Sequence, residues 1–548
     1  ILEVALSIIE TQADNLMDQH TDTAAREALA GTARILSKGM EHASSRVAWT
    51  ACSGWCAAAT AASMRPVPNS PVAEMIPSVV FKAIALAARP GESLQMVASD
   101  TLLALVTWMG PQAYAATLRS LFMDGDKPRS DQAMASLFFA ARAAADAPVR
   151  KAADTAFGPY IELALADSVC SSPSLRTRKE AILFLAGFAS QVARMGPAAM
   201  SRAVRLVAGV FESDPETASR SLVNMADESP ASLIPCLEQL LDAHTALPWS
   251  SAQANNFVNL TRAIALVIAV VPETDSRAVC VARLLGGCEH VIVGLRYPTL
   301  ESLHAVGVAF KALSDPFISL PILKRLASSL GTIAGTGDGG AASRDSQPLA
   351  SAIAVVLAAP LSPCSAEDKN RIQPDGALLQ ECVLSSFELM LQLFIAGPLC
   401  REYCLVETMA TMLEQVNALG PDGVRAIEAA TNRLTNSVAA YYNSQSQQVS
   451  LSEAFAQDQD VVSALFAFHL SLLELDPPSI VATLAISGDL FQRTCFLGAA
   501  ALVGSSGARA TLRWWKRVML VSLRIPEIQA KLFEYLSQQF DVLVSTLC

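Results

Sequence analysis

The stretch Ser174–Phe211 reads SLRTRKEAILFLAGFASQVARMGPAAMSRAVRLVAGVF, and its periodicity decides the fold. Over Arg178–Met195 the apolar residues Ile182, Leu185, Phe188, Ala189 and Val192 recur at helical spacing, and Gly196-Pro197 ends the run. Ala198–Phe211 repeats the pattern with Val204, Leu206, Val207 and Phe211, and Asp214-Pro215 ends it. Pro230–Leu241 and Ser250–Val271 follow, the latter carrying Phe257, Leu260, Ile264, Val267, Ile268 and Val271 before Pro272. Through to Gly294 the pattern gives helical hairpins, each helix with one apolar face that it cannot bury alone. Such a face needs a neighbour before and behind, which is the logic of a stacked solenoid.

The same reading extends in both directions. Upstream, helices are predicted over Ile1–Met17, Asp22–His42 (Asp22 as N-cap), Ser44–Met64, Ala73–Ala88, Ser93–Met109, Pro111–Met123, Ser130–Ala145 and Pro148–Asp167, with a polar turn at Gly125–Ser130. Downstream come Asp275–Leu295, Thr299–Ala312, Phe317–Leu330, Leu349–Ala359, Gly376–Ile395, Pro398–Asn417 and Pro421–Tyr442. Asp458–Leu475, Pro478–Ser487, Asp489–Val503, Ala508–Ser522 and Pro526–Leu547 complete the series. Three loops interrupt it: a Gly/Ser/Asp-rich insertion over 331–348, predicted to be mobile, a polar loop over 362–375, and a Gln/Ser-rich loop over 443–452. The hairpin period of about 40–47 residues falls in the HEAT/armadillo range. The expected fold is all-α, a single HEAT-repeat-like α-solenoid over 1–548.

Composition agrees. A chain of 548 residues exceeds one globular core, which stops growing near ~250–300 residues. Its residues are 52% hydrophobic but only 6% aromatic, so alanine and leucine carry the apolar share, and no alternating β-branched run reads as a strand. The mean hydropathy of +0.36 raises the question of a membrane. Pro348, Pro360 and Pro363 cut Ser346–Ala366, Val47–Met64 is mostly small residues, and Ala263–Val271 is short; none supplies the ~20 apolar residues of a span. The hydropathy therefore reads as many buried helix faces, with no membrane partner. A net charge of −11 argues against wrapping nucleic acid and suits basic protein partners. Twelve cysteines scattered singly point to thiols in a reducing compartment. The chain opens at Ile1, already inside a helical pattern and without an initiator methionine, so preceding repeats of the natural chain are expected to be missing.

No catalytic, cofactor or metal site is expected. Cys52/Cys56 and Cys400/Cys404 are one helical turn apart, but neither pair has a second pair at zinc-site spacing, so they read as core thiols. Cys288 and His290, near Cys280, are two residues apart and face different ways on a helix. His469 lies in an apolar run and reads as a hydrogen-bonded core or groove histidine. The glycines of Gly331–Gly340 follow no strand and precede no Lys-Ser/Thr, so they form no phosphate loop. One basic patch is a candidate partner-binding site: Arg509, Arg513, Lys516, Arg517 and Arg524 surround Trp514 and Trp515. Helical spacing puts Arg509, Arg513 and Arg517 on one face, fit for an acidic or phosphate-bearing partner, or simply a solvated face with the tryptophans packed inward.

RKEAILFLAGFASQVARMGP, with its charged start and following apolar core, resembles a helix of the karyopherin-β nuclear transport receptors. IPCLEQLLDAHTALPWSSAQANNFVNLTRAIALVIAVVPE resembles a hairpin of the transportin-SR/importin-thirteen branch, in which a short loop leads into a long helix. DGALLQECVLSSFELMLQLFIAGP and DVVSALFAFHLSLLELDPPSI are similar to later helices of that branch in the same order. The likeness runs from about Ser174 to Cys548 and is one of helical pattern and order. It implies a receptor that binds protein cargo in a concave surface, exchanges it under control of the GTPase Ran, meets nucleoporins, and shuttles between cytoplasm and nucleus. One departure stands out. The branch binds phosphorylated Arg/Ser-rich cargo through an arginine-rich helix, whereas the matching stretch Asp458–Leu475 holds no arginine or lysine, only His469. The Arg509–Arg524 patch is the candidate substitute. A static HEAT-repeat scaffold without Ran binding is the alternative reading.

Overall fold

The computed structural model describes residues 23–64, 73–147, 150–246, 254–294, 300–313, 315–335, 346–361, 376–396, 401–413, 421–445, 451–475, 478–486, 489–503 and 508–547. The predicted helix Ile1–Met17, the cap at Asp22, the entry at Pro148 and the loop at 362–375 lie outside these. Helices dominate. Where the pattern predicts one array, the contacts group into two compact units: residues 1–242 with 255–267, and residues 243–254 with 268–548.

Unit 1 begins with α1 (Thr23–Gly39), α2 (Ser45–Met64), α3 (Ile76–Ala87) and α4 (Glu92–Met109). α2 packs on α4, and a buried polar clasp sits in that contact: the Thr101 hydroxyl donates to the Val97 carbonyl at 2.8 Å and lies 3.2 Å from the Cys52 thiol. α5 (Pro111–Phe122) leads into a turn predicted to lack strands. There Met123–Asp124 (β1) and Lys127–Pro128 (β2) close a two-residue antiparallel ladder around Gly125, whose φ of 62° suits glycine. α6 (Asp131–Arg142) and α7 (Arg150–Ala164) follow. Ser130 caps α6 by accepting from the Ala133 amide.

After α8 (Asp167–Cys170), the stretch predicted as one helix over Arg178–Met195 is two, α9 (Leu175–Gly187) and α10 (Ala189–Arg194). The break at Phe188 (φ −107°, ψ 24°) seats its ring between Phe184 and Phe157, with centroids 5.0 and 5.7 Å away. Gly187 at the break passes so close to α6's exit that a Cβ would meet Ala145 at 2.8 Å. Each of these buried rings contributes about 1.5–3 kcal/mol, more than the hydrogen bond a straight helix would keep. α11 (Pro197–Phe211) matches expectation, but Asp214-Pro215 opens a further helix, α12 (Pro215–Glu228), as well as ending α11. Asp214 accepts from the Thr217 amide at 3.0 Å and pairs with Lys179. Burial works to raise its carboxyl pKa, but the bonds from Lys179 and Thr217 outweigh it and hold the group below its ordinary value. α13 (Pro230–Leu233), a 3₁₀ turn (Ile234–Cys236), α14 (Leu237–Ala246) and α15 (Ala254–Ala269) complete the series quoted at the outset.

Unit 2 contains α16 (Thr274–Gly294), α17 (Leu300–Leu313), α18 (Pro316–Gly335), α19 (Ser346–Ala358), α20 (Gly376–Ala396), α21 (Tyr403–Met412) and α22 (Pro421–Gln445). It continues with α23 (Leu451–Gln457), α24 (Gln459–Leu473), α25 (Pro478–Ile486), α26 (Leu490–Val503), α27 (Ala508–Ser522) and α28 (Pro526–Leu547). Its packing makes two rows. α17, α19, α21, α24 and α27 stack in one; α18, α20, α22, α26 and α28 stack in the other. Polar rungs tie the second row: Lys324 to Glu381 at 2.7 Å, Arg433 to Glu388 at 2.7 Å, and Arg493 to Asn436.

Two loop boundaries are corrected. α18 runs to Gly335 and α19 starts at Ser346, so of the insertion over 331–348 only 336–345 is left, outside the described residues. The loop over 443–452 is helical at both ends, because α22 continues to Gln445 and α23 begins at Leu451. Tyr442 and Phe455 pack edge to face across it at 4.4 Å, which holds both helix ends in place. Of the predicted helix Pro398–Asn417, residues 401–413 are described, and within them the helix is Tyr403–Met412. Ala377–Ile395 in α20 is long and apolar enough to cross a membrane, a stretch the hydropathy reading passed over. It carries Glu381 and Glu388, each paired to a neighbouring helix, and packs between α18 and α22, as a core helix of the row does.

Candidate interaction surface

α27 follows Gly/Ser-rich sequence and ends where Arg524 and Ile525 both bond back to the Val521 carbonyl at 2.9 Å, before Pro526 opens α28. Its inner face is Thr511, Trp514, Val518, Val521 and Ser522, all buried. Trp514 is 2% exposed; its ring lies 5.5 Å from Phe466 on α24 and against Gly498 on α26. A Cβ at Gly498 would come within 3.0 Å of the Trp515 indole nitrogen and 3.2 Å of the Trp514 ring, so glycine lets both indoles pack close to α26 without displacement. Trp515 is half-buried beside Tyr535 of α28, at 6.3 Å. The tryptophans are packing groups.

The cations divide. Arg509, Arg513, Lys516 and Arg524 are exposed, and among the described residues none of them forms an ion pair. Arg517, grouped with them by its spacing, is half-buried, and its Nε is enclosed without a hydrogen bond. Spacing also gave no sign that the outer face is apolar as well as basic. Leu512, Met519, Leu520 and Leu523 are exposed alongside the cations, Leu523 at 78%. Winding at about 100° per residue orders the helical part of the face as Met519, Leu512, Lys516, Arg509, Leu520, Arg513. One edge is apolar, the other cationic, and Leu520 lies between two arginines.

The sequence singled out other residues. His469 is on α24 and fully enclosed, its Nε2 3.1 Å from the Thr435 hydroxyl; burial pushes its pKa down to about 3. It is a core histidine and leaves α24 with no basic group on its surface. Cys52 is buried, its thiol pushed up to about 12 by burial, and Cys404 is half-buried and pushed up to about 11. Both are poor nucleophiles. Cys400 and the side chains of Cys288 and His290 lie outside the described residues. Among the described residues no group of three His, Cys, Asp or Glu side chains is arranged to hold a metal.

Two concavities in unit 2 had no sequence signal. One, of about 470 Å³, lies among α22, α26 and α28, with Asn436, Gln492, Arg493, Phe496 and Gln538 on its walls. The other, of about 210 Å³, is lined by Phe394, Tyr441, Tyr442 and Arg401, whose φ of 70° is in the left-handed region. Its guanidinium lies 3.5 Å from the Tyr441 ring centroid and bonds Asp458.

No protein-family model and no curated protein sequence matches the chain. Solved structures do. A structure of Importin13 in its cytosolic state superposes with a TM-score of 0.67 over 97% of this chain and 62% of that one, at 11% identity. Importin beta, crystallised in an ammonium sulfate condition, gives 0.50 over 91% of this chain and 70% of that one, also at 11% identity. The fold is thus the HEAT-type α-solenoid of the importins, and the chain spans about three-fifths of the length of the Importin13 structure.

Proposed function

We propose that this chain is a solenoid segment of a nuclear transport receptor of the importin-thirteen kind. In this reading it binds protein cargo reversibly, exchanges it under Ran-GTP control, meets nucleoporins and shuttles between cytoplasm and nucleus. The observation that carries the reading is the superposition on Importin13 across 97% of the chain, joined to the order of helical patterns from Ser174 onward. The net charge of −11 suits basic cargo. The surface of α24 gives no support to the branch's arginine-rich recognition of phosphorylated Arg/Ser-rich cargo, since its one basic side chain, His469, is enclosed.

The mechanism is elastic. Within each unit, packing runs between helices near in sequence, so small rotations at successive contacts add up along a row. Cargo and Ran-GTP would each favour one curvature and so oppose each other through it. A pull-down of the natural full-length protein against Ran locked in its GTP or GDP form tests this. GTP-dependent capture is expected; binding that ignores the nucleotide, or none, would make the protein a static HEAT-repeat scaffold.

A further inference from the structure

We infer that the outer face of α27 is a docking surface for an acidic amphipathic helix of a protein partner. This inference does not rest on the transport reading, since a scaffold could use the same face. Three observations carry it.

First, the face is mixed in a particular way. A merely solvated basic face would space its cations with small or polar residues. Here Leu512, Met519 and Leu520 are exposed on the same turns as Arg509, Arg513 and Lys516. Large apolar groups left in water on one stripe mark a contact surface.

Second, its cations Arg509, Arg513, Lys516 and Arg524 form no ion pair among the described residues, although carboxylates outnumber basic groups 51 to 40 in the chain. Elsewhere in unit 2 the exposed cations Lys324, Arg433 and Arg493 are all paired. A partner that brought only apolar groups would leave these cations desolvated and unpaired, at a cost of several kcal/mol. One that brought only carboxylates would leave the leucines wet. The complement is therefore leucines along one edge and glutamates or aspartates along the other.

Third, the geometry is that of a helix. From Arg509 to Leu520 the stripe is straight, about 17 Å long at 1.5 Å per residue, and spans about three turns. A partner helix of three to four turns lays its own edge along it, with i, i+3 and i+4 anchors. The indole rings of Trp514 and Trp515, packed against Phe466 and Tyr535 beneath, keep the platform from rotating.

An anionic membrane surface would offer similar chemistry on an extended plane. The chain's net charge of −11 disfavours it: an extended anionic plane meets the whole molecule's field, whereas a short helix meets only charges within about one Debye length, ~8 Å.

The test uses the natural full-length protein and a labelled synthetic peptide of about 18 residues, leucines at helical spacing along one edge and glutamates along the other, with a scrambled control. Fluorescence anisotropy should show binding of the patterned peptide, and a loss of about tenfold or more with Leu520→Ser/Leu523→Ser and again with Arg513→Glu/Arg524→Glu. All four residues are exposed, so thermal melts of the variants should match the parent. Arg513→Lys/Arg524→Lys should retain most of the affinity. The inference fails if the scrambled peptide binds equally, if only the charge reversals matter, or if the patterned peptide does not bind. It fails equally if vesicles containing phosphatidylserine bind and the peptide does not.

Discussion

The His469 ring on α24 and the Thr435 hydroxyl on α22 meet at 3.1 Å inside unit 2. Thr435 donates to the Thr431 carbonyl at 3.0 Å, so its oxygen accepts from the His469 Nε2–H, and the imidazole is neutral. The imidazole pKa falls from 6.5 to about 3 through burial. Between those values the unfolded chain binds a proton that the folded chain excludes. Stability is thus full above about pH 6.5 and falls by about 1.4 kcal/mol per unit below it. His244, held near 4 by burial, adds in the same direction. His469→Gln keeps a donor for Thr435 and removes one titration. Its urea midpoint should drop less between pH 7 and 5 than the parent's, by the equivalent of about 2 kcal/mol. Equal drops would mean that the buried ring protonates in the folded protein.

Arg401 holds a left-handed backbone conformation while its side chain stacks on Tyr441 and bonds Asp458. Removing the side chain loses the stack and the pair; whether the strain remains depends on the replacement. Alanine keeps the disfavoured φ, whereas glycine relieves it by about 1 kcal/mol. Arg401→Ala should therefore be the less stable of the two by that amount, even though both lose the same contacts. If the order is reversed in thermal melts, the conformation at Arg401 is not strained.

Helix positions were legible wherever glycine and proline punctuate apolar periodicity: Ala508–Ser522 and Pro526–Leu547 agree with the structure to the residue. α12 was hidden because Asp214-Pro215 reads as a stop as readily as a cap, and because small residues (Ala218, Ser219, Ser221 and Ala226) dilute a buried face whose larger apolar groups, Leu222, Val223 and Met225, crowd into a single turn. The break at Phe188 is invisible since the apolar spacing runs straight through it; only Phe157, brought in by the fold, calls for the bend. The same limit applies to the surface. Spacing located the cations of α27, but which edge packs inward depends on Phe466 and Tyr535, so neither Arg517's half-burial nor the exposed leucines could be read. Arg401 and Asp458, 57 residues apart, meet because α21 packs on α24 and the two residues sit at the starts of those helices.

Gly307 on α17 meets α19 so closely that a Cβ would lie 2.8 Å from Val355 Cγ1. A helical valine rotates little about χ1, so Gly307→Ala must push the helices apart. Overpacking costs about 1–3 kcal/mol, against about 1 kcal/mol gained in helix propensity. A net destabilisation is expected in the parent. In a Val355→Ala background the obstacle is gone, and the same change should become stabilising by up to about 1 kcal/mol. A double-mutant cycle by chemical denaturation reads this sign reversal directly; additive effects would mean that the helix contact is not tight there.

Trp514 and Arg513 are adjacent on α27 and belong to opposite sides of it: the first is 2% exposed against Phe466 and Gly498, the second is in solvent without an ion pair. Trp514→Ala should cost about 3–5 kcal/mol through the cavity it leaves. Arg513→Glu should change stability by less than about 0.5 kcal/mol. The contrast bears on what the outer face is for. A surface kept for a partner can lose its charges without loss of fold, while a surface that braces the solenoid cannot. If Arg513→Glu lowers the denaturation midpoint comparably to Trp514→Ala, the cations of α27 hold the fold together, and the docking role assigned to that face goes with them.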